Sequence, residues 1–340
     1  MSRRRRRPVR LSARARLVRA ALGASFAGLL LFVAEVALRL TGISPAYQAD
    51  RLGGWRFAAN LDDHQILGAN EPHDFRVSSN DAGLRTHLPR EKTPGVTRIA
   101  VMGDSKVFGW GVGDDEGVGE ALEQALGPGF EVLNAGQPGY STTQAAWLFE
   151  ETVVDWQPDL TIVWQSMHDF NRTLVSDREH LHGGATPTAW ARVLLARHSR
   201  IYTLLRKQLY TEAERIQLLP QQATNDTARV QRVSDDDRRA NFDRIRELSA
   251  AWGGELAIGL LPFYRDLSTA PGSTAQPREG QPFATRYAEE HELLLLDVRT
   301  CCGPDVDALV FPFDHGHLTA EGNRRVGVAA APLVAAWLER

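Results

Sequence analysis

Five short apolar segments recur between residues 96 and 340: Ile99–Met102, Phe130–Leu133, Leu160–Gln165, Leu256–Leu261 and Leu293–Val298. Each is the length of a strand buried on both faces. Between them lie amphipathic, helix-length stretches at Glu116–Leu126, Thr142–Val154, Asp235–Trp252 and Thr285–Glu290. A last helical pattern, Thr319–Leu338, is expected to turn Val326, Val328, Leu333, Val334 and Trp337 toward the core. Short buried strands alternating with amphipathic helices admit few solutions. The one expected is a three-layer α/β/α domain around a mostly parallel five-stranded sheet. Such an open sheet places its site beyond the carboxyl ends of its strands. Residues 172–233 break the alternation with a helical stretch, Ala189–Leu209, and a polar one, Gln217–Thr227. They read either as a helical insertion above those strand ends or as an exposed linker.

Charge is distributed unevenly. The net charge of −3 combines 39 Lys and Arg with 42 Asp and Glu, and nine of the Arg fall within residues 1–20, which hold no acid. The remaining 30 basic residues leave the body of the chain near −12. The basic charge is thus a terminal tag, and nucleic acid is not expected as a partner. Behind the tag runs Ala20 to Leu40, apolar or small except for Glu35 and Arg39. As a helix it would be about 31 Å long, enough to cross the hydrocarbon core. Glu35 and Arg39 lie four apart and can pair near an interface. The positive-inside rule keeps residues 1–19 in the cytoplasm and carries everything after Gly42 across the inner membrane. No small-x-small cleavage signal follows the run, which favours an uncleaved single-pass signal anchor at 20–41 over a cleaved signal peptide. Residues 42–95 read as a linker ending in a small extended region, Phe75 to Leu88, packed against the main domain. The two cysteines, Cys301 and Cys302, are neighbours and form no disulfide framework.

Four segments fall after expected strands and carry chemistry. Gly103-Asp104-Ser105 follows the first and delivers a serine at a strand-to-helix turn, where backbone N–H groups are free to hold an oxyanion. Asn134-Ala-Gly-Gln-Pro-Gly-Tyr-Ser141 follows the second, and Gly139 can bring its N–H close to a bound carbonyl. Ser166-Met-His-Asp-Phe-Asn171 follows the third. Asp314-His-Gly-His317 follows the fifth; a carboxylate three residues before an imidazole can orient it as the base for a serine. Asp314, His315 and His317 could also ligate a metal. No further His, Cys or carboxylate cluster completes a coordination shell, so neither metal nor cofactor is expected.

Taken together, these blocks resemble the SGNH (GDSL-type) hydrolase family, in its bacterial subgroup with an N-terminal signal anchor, from about Val77 to the C-terminus. Phe108-Gly-Trp-Gly111 and Ser79-Asn-Asp-Ala-Gly-Leu-Arg85 are similar to stretches flanking the catalytic block there. The resemblance implies a flavodoxin-like sheet, Ser105 as nucleophile, His317 as base and Asp314 as its orienter. It implies an oxyanion hole made by the N–H groups of Ser105 and Gly139, with Asp104 and Asn171 at the substrate. One position departs. The family's third block is Gly-x-Asn-Asp, and this chain has Ser166-Met167-His168-Asp169, so His168 stands where an Asn amide would donate. A neutral imidazole also donates one N–H, and Asn171 is a second donor nearby. Lys106 places an amine beside the nucleophile, either to attract an anionic substrate or to point to solvent.

The activity implied is hydrolysis of O-acyl esters by a serine esterase outside the cytoplasm. Its expected partners are a small-molecule, glycan or lipid ester and the membrane. The same residues could serve O-acyl transfer to a sugar hydroxyl. Alternatively, the change at His168 could mark a catalytically silent binding module.

Overall fold

The structure is a computed structural model. It describes residues 12–40, 47–50, 54–66, 75–164, 167–173, 176–179, 191, 194–195, 198–202, 205, 230–262, 281–301, 309–311 and 317–340. The chain divides into two bodies, residues 1–45 with 194–209, and residues 46–193 with 210–340.

The first body is built on one helix, α1 (Ala13–Leu40), 28 residues long with a mean hydropathy of 2.0 over its most apolar window. Its length and composition suffice to cross a membrane. Glu35 and Arg39 pair at 3.0 Å, as their spacing of four allows. Beyond that pair, Glu35 accepts from Ser199 Oγ and from the N–H groups of Arg200 and Ile201, and Arg39 Nη2 donates to the His198 carbonyl.

In the second body two antiparallel pairs precede the main sheet: β1 (Tyr47–Asp50) with β2 (Gly54–Phe57), and β3 (His64–Ile66) with β4 (Phe75–Val77). Phe57, Ile66, Phe75 and Val77 are buried against Phe108 in a small core of their own. The extended segment after β4 is pinned by Arg85. Its guanidinium donates to the carbonyls of Phe108, Gly109 and Val112 and pairs with Asp114 at 2.9 Å.

The main sheet comprises β5 (Thr97–Met102), β6 (Phe130–Asn134), β7 (Leu160–Trp164), β10 (Glu255–Leu260) and β11 (Leu294–Asp297). All four pairings are parallel, and the order is β11-β10-β7-β5-β6. Counted along the sheet strands alone this is 2-1-3-4-5, the flavodoxin-like arrangement, whose topological switch point lies between β5 and β7. Side chains alternate between two cores, as the two-residue period requires. Ile99, Val101, Ile162 and Leu296 face one side with α3 (Val118–Leu126) and α7 (Ala320–Leu338). Ala100, Met102, Val163 and Ile258 face the other with α4 (Thr142–Glu151), α5 (Asp235–Ala250) and α6 (Gln281–Glu290). The short strands β8 (Arg172–Thr173) and β9 (Val230–Gln231) pair antiparallel and join the two ends of the 172–233 interval. The expected helix at 189–209 lies largely, and the polar stretch at 217–227 wholly, outside the described residues.

Two expectations are corrected. Val328 and Leu333 of α7 are exposed, and the buried stripe is Val326, Ala330 and Val334, spaced i, i+4, i+8. Val326 and Val334 are buried as expected, and α7 lies close to α3 on that face: a Cβ on Gly327 would come within 2.5 Å of the Ala121 backbone. The helix read as running from Thr142 to Val154 stops at Glu151, and a 3-10 turn, Val153–Trp156, follows it. That turn buries Trp156, whose Nε1–H donates to the Leu88 carbonyl at 3.3 Å.

Candidate active site

β5 ends at Met102, and its direction is reversed by a turn made possible by Gly103, where a Cβ would meet Val107 Cγ2 at 2.6 Å. Asp104 caps the short helix α2 (Ser105–Phe108), its Oδ1 accepting from the Lys106 N–H at 3.0 Å. Gly109 ends that helix in the left-handed region at φ 78°. Ser105 is therefore fixed at both sides of its turn and stands half-buried at the switch point. His317 arrives just before α7, through the bridge between Val310 and Leu318 and the bond from Phe311 N–H to the His317 carbonyl. The two blocks, 212 residues apart, meet there: His317 Nε2 lies 2.7 Å from Ser105 Oγ. The ring of Trp110 lies 6.3 Å from that of His317, forming an aromatic wall beside the pair. Asp314, His315 and Ser166 fall outside the described residues.

The third segment begins just past β7. His168 lies in the 3-10 turn Met167–Phe170, mostly buried, its Nδ1 3.2 Å from the Asn171 amide nitrogen. An amide N–H donating to Nδ1 leaves the ring proton on Nε2, which faces Asp104 Oδ2 at 3.9 Å. Burial pulls the His168 pKa below its usual value. The Asp104 charge opposes that shift, and Arg232, His317 and Lys106 reinforce it. His168 is thus held as a neutral donor among the groups of the nucleophile turn. Asp104 and Asn171, expected at the substrate, are both turned to His168. Lys106 does not point to solvent: it is buried, its Nζ 3.5 Å from the Pro262 carbonyl. A lysine stem packs well against a core when its head finds a carbonyl at the edge.

Asp169, the next residue, is fully buried. It accepts from Thr142 N–H at 2.8 Å and Thr142 Oγ1 at 2.9 Å, which ties this segment to the start of α4. Loss of hydration raises its pKa to about 7, against the pull of those hydrogen bonds and of Arg238 and Arg232. Between its ordinary range and about 7 the folded chain holds a proton that the unfolded chain has released, so Asp169 lowers stability as pH rises through that window. We expect the stability difference between wild type and Asp169→Asn to move against the wild type from pH 4 to 7, by up to about 1.4 kcal/mol per pH unit. Denaturant unfolding at several pH values measures it, and a pH-independent difference would refute the assignment.

Gly139 has φ 77° and stands half-buried at the rim, on the loop 135–141. That loop is joined to the nucleophile turn by Ala135 N–H to the Val101 carbonyl and Gln137 N–H to the Gly103 carbonyl. It is approached from outside the sheet by Trp55 and Arg232, neither of which had any local signal in the sequence. Asn134 at its start and Gly136 and Gln137 within it are buried. Among the described residues no group of three or more His, Cys, Asp or Glu is arranged to hold a metal.

No family model matches the chain, and no curated protein does. Among solved structures it is similar to a member of the lipolytic protein G-D-S-L family from Veillonella parvula, at 16% identity over 71% of this chain and 99% of that one, with a TM-score of 0.44. It is also similar to the inhibitor-bound aryl esterase of M. smegmatis, at 15% identity over 71% and 99%, with a TM-score of 0.41. A variant acetyl-xylooligosaccharide esterase of Geobacillus stearmophilus matches at 16% identity over 71% and 96%, with a TM-score of 0.43. Likeness at this level concerns architecture, and what the site can do rests on its own geometry.

Proposed function

We propose that the chain is a serine esterase of the SGNH (GDSL) type, anchored in the inner membrane by α1, with its site on the extracytoplasmic side. The observation that carries the reading is the 2.7 Å approach of His317 Nε2 to Ser105 Oγ at the switch point of a parallel sheet. In this reading His317 takes the Ser105 proton as Oγ adds to the ester carbonyl. The carbonyl oxygen becomes an oxyanion held by the N–H groups of Ser105 and Gly139 and by His168 Nε2–H. The tetrahedral adduct collapses, and the alcohol leaves with the proton from His317. Water then repeats the sequence on the acyl-enzyme, regenerating Ser105. Asp314 holds the His317 ring, and Asp104 and Asn171 bear on the substrate through His168. The substrates are O-acyl groups on cell-envelope glycans or lipids, a class supported by the apolar helix that precedes the domain.

A fluorophosphonate probe on the full-length chain tests the reading. We expect one adduct, located on Ser105 by peptide mapping. A folded chain that takes up no label would refute it. His168→Asn is expected to keep or raise the rate on a p-nitrophenyl ester, because an amide N–H replaces the imidazole N–H at the oxyanion. An inactive but folded variant would give His168 a role other than donation.

A further inference from the structure

The N–H of Gly139 and the carbonyl of Pro138 belong to one planar peptide unit and point opposite ways. Whatever holds that carbonyl therefore sets the direction of that N–H. The carbonyl is held: Trp55 Nε1–H donates to it at 3.0 Å. Trp55 comes from β2, which begins 14 residues after α1 ends and 84 residues before Pro138. Its indole lies directly under the loop, since a Cβ on Gly139 would stand 3.3 Å from Trp55 Cζ2. Tyr140 grips the same strand from the other side. Its Oη donates to the Trp55 carbonyl at 2.6 Å, and the two rings meet edge to face at 5.9 Å.

The following peptide is also secured. Arg232 Nη1 donates to the Gly139 carbonyl at 3.0 Å. Arg232 is itself held by both oxygens of Asp177 at 2.9 Å and by Gln144, and its guanidinium lies 5.8 Å from the centroid of the Trp55 ring. Two residues further along β2, Phe57 N–H donates to Gln137 Oε1 at 2.8 Å, and Gln137 Nε2 donates in turn to the Gly83 carbonyl at 3.0 Å. Two successive peptides of the loop are thus fixed by donors from outside the sheet. A hydrogen bond at one end of an amide also polarises the other end, so the bond from Trp55 makes the Gly139 N–H a better donor.

We infer that Trp55 is a positioning residue for catalysis: its indole N–H fixes the Pro138–Gly139 peptide so that the Gly139 N–H faces the oxyanion. The inference rests on the esterase reading and extends it. It makes turnover depend on the strand that follows the apolar helix, so the segment between helix and hydrolase domain is part of the working enzyme. An oxyanion donor acts only where charge develops, so losing its alignment lowers kcat and leaves substrate binding nearly unchanged.

The test uses the full-length chain in detergent with a matched pair of p-nitrophenyl substrates, an ester and its thionoester. Sulfur accepts hydrogen bonds poorly, so thionoester hydrolysis draws little on the oxyanion donors. Trp55→Phe keeps the ring and removes the N–H. We expect kcat on the ester to fall by about 10- to 100-fold with KM within about twofold, and the thionoester rate to fall by no more than about threefold. Equal losses on both substrates, or a lowered Tm with unchanged kcat, would overturn the inference. If Trp55→Phe does not fold, Tyr140→Phe keeps the ring and removes the hydroxyl that steers the Trp55 backbone. It should give the same imbalance at about 3- to 10-fold, and an unchanged ester-to-thionoester ratio would overturn the inference. A wild-type chain that neither hydrolyses the ester nor takes a fluorophosphonate on Ser105 would remove the esterase reading and the positioning role with it. A normal wild type with an unaffected Trp55→Phe removes the positioning role alone.

Discussion

Ser105→Ala and His317→Ala should each lower kcat on a p-nitrophenyl ester by at least about 10⁴-fold, and the double variant should be no worse than either. The reason is that the two groups act as a unit. Without the imidazole the hydroxyl keeps its proton, and without the hydroxyl the imidazole has nothing to activate. Ser105 is half-buried and His317 touches it at 2.7 Å, so neither truncation opens a core cavity, and unfolding temperatures should stay close to wild type. Steady-state rates with circular dichroism as the folding control measure this. A folded Ser105→Ala chain retaining a tenth of wild-type activity would place the nucleophile elsewhere.

The second large effect is expected at Gly136, which the resemblance did not single out. A Cβ there would lie 2.3 Å from Phe108 N and 2.7 Å from the Val107 carbonyl carbon. Both are backbone atoms of the helix that starts at Ser105, so neither can yield like a side chain. Gly136→Ala must push the loop bearing Gly139 away from the helix bearing Ser105. A displacement of about 1 Å between reacting groups costs on the order of 10²-fold in rate, so kcat should fall by about that factor. Overpacking of this kind should cost about 1–3 kcal/mol of stability as well. Kinetics and denaturant unfolding on the same preparation separate the two effects. Wild-type kcat in Gly136→Ala would mean that the loop and the helix move together and that their spacing is not what sets the oxyanion geometry.

Much of the site was legible because its signals are local. Gly103-Asp104-Ser105 carries its own turn, cap and helix start within four residues of a buried strand, and Thr319 caps α7 two residues after His317. Where the reading went astray, a neighbouring element had decided the outcome. Val328 and Leu333 are apolar and helical, but the face of α7 that packs at α3 carries Val326, Gly327, Ala330 and Val334, and those two lie off it. Lys106 is charged and next to the nucleophile, but the short helix turns it inward to the Pro262 carbonyl.

The amino-acid sequence by itself determined the five strands of the sheet, most of the helices between them and the two blocks that bring a serine and an imidazole to the site. Each of these follows from the spacing of apolar side chains or from turn chemistry within a dozen residues. The 2-1-3-4-5 strand order that brings those blocks together was implied by the resemblance of the blocks and is carried by no local spacing. Tertiary structure alone decided the reach of Trp55 and Arg232 to Pro138 and Gly139, across 83 and 93 residues. Such contacts leave no periodic trace in the chain, because a single donor meeting a single carbonyl constrains neither partner's neighbours.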